Sequence, residues 1–156
     1  MVGLMDWNNS TYIERLRDWR SFRDEIITLP FHEAVERVAK EWGKVPIHTG
    51  KKVRIYEPET WDTPWEILNK NLMCEDTIAL MIYHTLSAVY SEDAYAHTTM
   101  RIAHYNSVEY LVVEVSKANE TYTLNYISGT AIKSGSDTEI NFIHTFGEAL
   151  PHLRNK

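Results

Sequence analysis

One cysteine, Cys74, stands among 156 residues. An internal disulfide is therefore excluded, and this cysteine usage fits a reducing compartment. No apolar run approaches the roughly 18 residues that a bilayer-spanning helix requires, so no membrane association is expected. The opening MVGLMDWNNS has neither the basic start nor the long apolar centre of a signal peptide, and the chain is read as cytoplasmic. Positive charge is in short supply: 16 Lys and Arg face 22 Asp and Glu, a net charge of -6. That balance argues against a nucleic-acid surface. The cluster Arg15, Arg17, Arg20 and Arg23 is interleaved with Glu14, Asp18, Asp24 and Glu25, and reads as the solvated face of a helix. Glycine fingerprints for nucleotides and Cys/His spacings for zinc are both missing, so no cofactor or metal is expected. Without repeats, low-complexity stretches or linkers, residues 1–156 read as one domain, long enough to bury a core.

Aromatic residues, by contrast, are plentiful. Five Trp and nine Tyr imply that large rings carry much of the packing. Ser10 or Thr11 caps a helix whose apolar positions are Ile13, Leu16, Trp19, Phe22 and Ile26. Pro30 suits the first turn of a second helix, with Phe31, Ala34, Val35, Val38 and Trp42 on one face and Gly43 at its end. The Pro- and Gly-punctuated stretch 44–60 connects, with a short strand-like KVRIY inside it. In WDTPWEIL (61–68), Asp62 or Thr63 caps a helix with Pro64 in its first turn and Glu66 behind. Another helix runs from about Cys74 to Val89, turning Ile78, Ile82, Leu86 and Val89 inward. Beyond Ser91 the period changes to two, predicting strands near 99–105, 109–116, 120–128 and 139–145. An even-length hairpin at Lys117–Glu120 sets Leu111 opposite Tyr126, Val113 opposite Leu124 and Val115 opposite Tyr122. Helices followed by an antiparallel sheet define an α+β domain.

Chemistry centres on NLMCED (71–76). A thiol in the first turn of a helix meets exposed amides and the helix dipole, both of which favour the thiolate, the form that attacks carbonyl carbon. The competing reading is a small buried core residue, the commoner fate of a free cysteine. Glu75 and Asp76 suit the helix N-terminus electrostatically, for about 0.3–1 kcal/mol each. Trp61 and Trp65 either line a groove or pack the core.

Trp61, Thr63, Pro64, Glu66 and Leu68, followed by Cys74-Glu75-Asp76 and a helix carrying Ala79 and Tyr83, resemble the bacterial transglutaminase-like cysteine peptidases, a papain-like superfamily. The likeness runs from about residue 15 to 130 and is strongest over 61–83. It implies a Cys-bearing helix packed on an antiparallel sheet, and a catalytic role for Cys74 with Asp76 helping to define the site. Two departures stand out. The Gly-Asp that precedes C-E-D in the family is Leu72-Met73 here. The base and its orienting partner, His and Asp in the family, are Tyr110 (in YLVVEV) and Asn125 (in TLNYI). Asn is compatible with a Cys-His-Asn triad, whereas a phenol is a poor base at neutral pH.

The expected hairpin register places Tyr110 and Asn125 as diagonal neighbours on one face. His104 substitutes for the missing base only if a three-residue turn over Asn106–Val108 sets it opposite Tyr110; a two- or four-residue turn puts it on the other face. His84 lies about 15 Å along the helix from Cys74. His97 falls in a loop, and His144 and His152 in C-terminal segments. Two readings result. The first is a degenerate member that keeps the scaffold as a protein-binding or structural component; similar stand-alone proteins occur among phage products, so a phage or virion role follows from the resemblance. The alternative is a thiol hydrolase or acyltransferase that attacks amide bonds of a protein substrate through Cys74. The tyrosine at the base position tips the balance to the first.

Overall fold

The computed structural model describes residues 7–48, 50 and 52–146. After a short 3-10 turn at Trp7–Asn9 come helices α1 (Tyr12–Ile26), α2 (Phe31–Trp42), α3 (Pro64–Lys70) and α4 (Glu75–Val89). Strands β1 (His97–Tyr105), β2 (Val108–Lys117), β3 (Glu120–Leu124), β4 (Ala131–Lys133) and β5 (Asn141–Thr145) follow. They form an antiparallel sheet in the order β4-β3-β2-β1-β5.

Capping boxes start α1 and α3. Thr11 accepts from the Glu14 amide while the Glu14 carboxylate accepts from the Thr11 amide, and Thr63 and Glu66 repeat the arrangement. Asp62, the other candidate cap, pairs instead with Lys70 at 3.0 Å. Pro30 stands just outside α2, at its N-cap.

The arginine-rich start of α1 departs from a purely solvated face. Arg15 is buried and its Nε donates to the Leu68 carbonyl at 2.7 Å, a cation placed at the C-terminal end of α3. Ile13, expected inside, is 60% exposed. The inward stripe of α1 is Trp19, Phe22 and Ile26.

Helix α4 is the centre of the molecule, buried without interruption from Thr77 to Leu86. Thr85 ties two helices to it: the indole N–H groups of Trp19 and Trp42 both donate to Thr85 Oγ1, at 2.9 and 3.1 Å. Its own hydroxyl donates to the Met81 carbonyl at 2.6 Å. Gly43 ends α2 with φ near -67°, so its lack of a side chain serves close approach rather than backbone freedom. A Cβ there would come within 2.5 Å of Gly129 Cα.

One face of the sheet, carrying Met100, Ile102, Leu111, Val113, Val115 and Leu124, joins the helical core. The other holds a smaller cluster of Ala103, Tyr110, Val112, Tyr126 and Ile132. The Val113–Leu124 and Val115–Tyr122 pairs form as expected. Leu111–Tyr126 does not, because Asn125 takes φ near 74° and ends β3 at Leu124. The predicted strand at 120–128 is therefore short, and β4 beyond it carries no alternation long enough to read. KVRIY forms no strand; its residues lie in coil and turn. His97 opens β1 rather than lying in a loop, and His144 lies in β5. His152 falls outside the described residues.

Candidate functional site around Cys74

Cys74 is the N-cap of α4, in extended conformation, with a partly exposed thiol. Its amide donates to Thr77 Oγ1 at 2.7 Å, and the Thr77 hydroxyl lies 2.9 Å from the Cys74 carbonyl and 3.6 Å from Sγ. Threonine therefore closes this helix start where a Ser, Thr or Asp cap would otherwise do so. Met73, ahead of it, is fully buried, while Leu72 is exposed.

The next turn is fastened to β2 by two residues that the sequence marks as site candidates. Asp76 Oδ1 accepts from the Leu111 amide at 2.9 Å. Asn125 Nδ2 donates to the Leu111 carbonyl and to the Glu75 carbonyl, each at 3.0 Å. The β2–β3 ladder stops at Val113–Leu124, so both main-chain groups of Leu111 are taken up by side chains instead of by a strand. The left-handed conformation of Asn125, one that asparagine tolerates better than most residues, carries its amide to this point. Burial, reinforced by the neighbouring Glu75 charge, pushes the Asp76 carboxyl up to about 6 despite the hydrogen bond from Leu111.

Tyr110 lies on the opposite face of the sheet. Its hydroxyl donates to the Tyr126 carbonyl, and the two rings stack with centroids 6.3 Å apart. Burial, with Tyr126 and Glu75 nearby, pushes the phenol up to about 12. Tyr110 and Asn125 therefore do not form an acid-base pair: one secures β2 to the Tyr126 main chain, the other clamps α4 to β2.

His104 does not take the place of the base. The β1–β2 turn has two residues, Asn106 and Ser107, both with positive φ, so His104 pairs with Glu109 and Ala103 with Tyr110. The imidazole is thus on the face opposite Tyr110, and exposed. Glu109 in turn accepts from the Tyr56 hydroxyl. His84 is buried in α4, where it lines a cavity away from the thiol. His144 packs on Phe146, whose ring also meets Trp61. The two tryptophans of WDTPWEIL divide: Trp61 is core and Trp65 is 39% exposed.

The histidine beside the cysteine segment is His48, which sequence reasoning passes over. Its amide donates to the Met73 carbonyl at 2.7 Å, and the Met73 amide points at His48 Nδ1 at 3.5 Å. Because His48 lies in the irregular connector, no periodicity announces this contact.

No family model and no curated protein matches the chain. Among solved structures, Legionella pneumophila LapG is similar with a TM-score of 0.64 at 17% identity, covering 86% of this chain and 76% of LapG. Its calcium-bound form gives the same values. The EGTA-treated form gives 0.63 at 17%, over 85% and 73% of the two chains. Four helices packed on a five-stranded antiparallel sheet, matched over this span, give the chain the α+β transglutaminase-like fold of LapG.

Proposed function

We propose that this chain is a degenerate transglutaminase-fold protein that acts through binding a protein partner rather than through thiol catalysis. The observation that carries the reading is Tyr110: at the position where the sequence resemblance puts the imidazole base, a buried phenol on the sheet face away from α4 donates a hydrogen bond to the Tyr126 carbonyl. A group held near 12 and already committed as a donor accepts no proton from a thiol at neutral pH. Asp76 and Asn125 fit the same reading, since both are engaged in holding Leu111. The test is alkylation of Cys74 by iodoacetamide at pH 6, measured against a free cysteine derivative. The expected rate is no faster than the free thiol and unchanged in His48→Ala. A rate enhanced by tenfold or so, lost in His48→Ala, would overturn the proposal.

A second reading rests on His48. An imidazole at the Met73 main chain is one residue from the thiol, and with it Cys74 would be the nucleophile of an amide hydrolase. Covalent labelling of Cys74 by a peptidyl vinyl sulfone, abolished by His48→Ala, distinguishes this reading from the first.

A further inference from the structure

A cavity of about 650 Å³ opens between α1, the start of α3, the C-terminal half of α4 and the approach to β1. It is separate from the cysteine: Ser87, on its wall, lies roughly 20 Å along the helix axis from Cys74 at about 1.5 Å per residue. The volume is that of a small-molecule pocket. Trp19 and Tyr83, both buried, form its apolar side, and the half-exposed Trp65 stands with Pro64 at its edge.

Arg20 and Arg23, one turn apart on α1, supply its charge. The Arg23 guanidinium lies 4.2 Å from the Trp19 ring centroid, and its Nε is shielded from water without a hydrogen-bond acceptor. Burial lowers its proton affinity, with Arg20 adding to the effect against the opposing pull of Asp24. Neither arginine is ion-paired with a carboxylate among the described residues, although the chain carries a net charge of -6. The carboxylate that lines the cavity, Asp93, is already held by Lys117 Nζ at 2.8 Å and by the Tyr95 amide at 2.9 Å. The pocket thus combines aromatic walls with two guanidiniums that make no ion pair with a carboxylate among the described residues, a combination suited to an anion attached to an apolar body.

We propose that this cavity binds a small amphipathic carboxylate, its anion held by Arg20 and Arg23 and its apolar part laid against Trp19, Tyr83 and Trp65. The cavity lies apart from Cys74, so its ligand does not depend on whether the thiol reacts. The probe is dodecanoate below its micelle concentration, titrated into the full chain by calorimetry, with dodecanol and dodecyltrimethylammonium as neutral and cationic counterparts. One-to-one binding of dodecanoate is expected, with little from the cation. Arg23→Gln should weaken it about tenfold or more. Ser87→Trp, which fills the cavity from α4, should abolish it, and Cys74→Ser should leave it unchanged. Arg20→Gln, at an exposed position, carries the test if Arg23→Gln fails to fold. No saturable binding, equal affinity for the cation, survival of binding in Ser87→Trp, or less than a twofold change in both arginine variants would overturn the proposal.

Discussion

Replacing Asp76 by Asn tests the clamp at the start of α4 through its pH dependence. The folded-state carboxyl is raised from 3.8 to about 6, burial being the main cause, so the folded protein holds this proton more tightly than the unfolded chain does. The sign follows directly. Asp76 favours folding fully below about pH 4, and that contribution is lost as pH rises through about 6. Two pK units at 1.36 kcal/mol each amount to about 3 kcal/mol lost between pH 4 and pH 7. Asparagine keeps an oxygen to accept from the Leu111 amide but has no charge to desolvate. Glu14, Glu66 and Asp93, whose pKa values are lowered by hydrogen bonds, act in the opposite sense, with stability gained as pH rises, so the parent curve alone is a mixture. The difference between variant and parent removes them. Urea unfolding followed by tryptophan fluorescence at pH 4, 5, 6 and 7 should show Asp76→Asn gaining on the parent by about 3 kcal/mol across the range. In a chain of this length that corresponds to about 6–12 °C in Tm. A difference flat within about 0.5 kcal/mol from pH 4 to pH 7 would refute a desolvated carboxylate at this position.

Two further substitutions probe how the helices are held. Thr85→Val removes the acceptor shared by the Trp19 and Trp42 indoles and should cost about 2–6 kcal/mol by chemical denaturation, at 1–3 for each buried donor left unpaired; Thr85→Ser should recover most of that. Gly43→Ala drives a methyl into the Gly129 main chain, which must move, so a loss of at least 1–3 kcal/mol (roughly the cost of overpacking a core) is expected, with the same assay as the check.

What the sequence makes legible follows the range of the interactions that determine it. Helix starts are written in two to four adjacent residues: of the paired cap candidates Ser10 or Thr11 and Asp62 or Thr63, the threonines cap, and Glu14 and Glu66 close the boxes. The register of β2 on β3 is readable because two apolar pairs on one face fix it. The inward turn of Arg15 is not readable: its partner, the Leu68 carbonyl, is 53 residues away and belongs to another helix end. His104 shows how narrow the margin is, since one residue more in the turn would have carried it to the Tyr110 face. The end of β3 at Asn125 is equally hidden, because a left-handed residue inside an alternating run leaves the alternation intact on paper.

That hidden bend explains how the Cys-bearing helix is held to the sheet without help from Tyr110. Asn125 leaves the ladder, and its side chain then reaches two carbonyls on different elements, Leu111 on β2 and Glu75 on α4. Asp76 closes the third bond of the same clamp at the Leu111 amide. The three hydrogen bonds replace strand pairing at the point where the Cys-bearing helix meets the sheet, so these side chains are held by stability whether or not the thiol reacts. None of them depends on the identity of the residue at 110, whose hydroxyl bonds the Tyr126 carbonyl on the far side of the sheet. Fold and chemistry are therefore separable in this site. Asp76 and Asn125 hold the start of α4 against β2, while Tyr110 packs with Ala103, Val112, Tyr126 and Ile132 on the other face of the sheet.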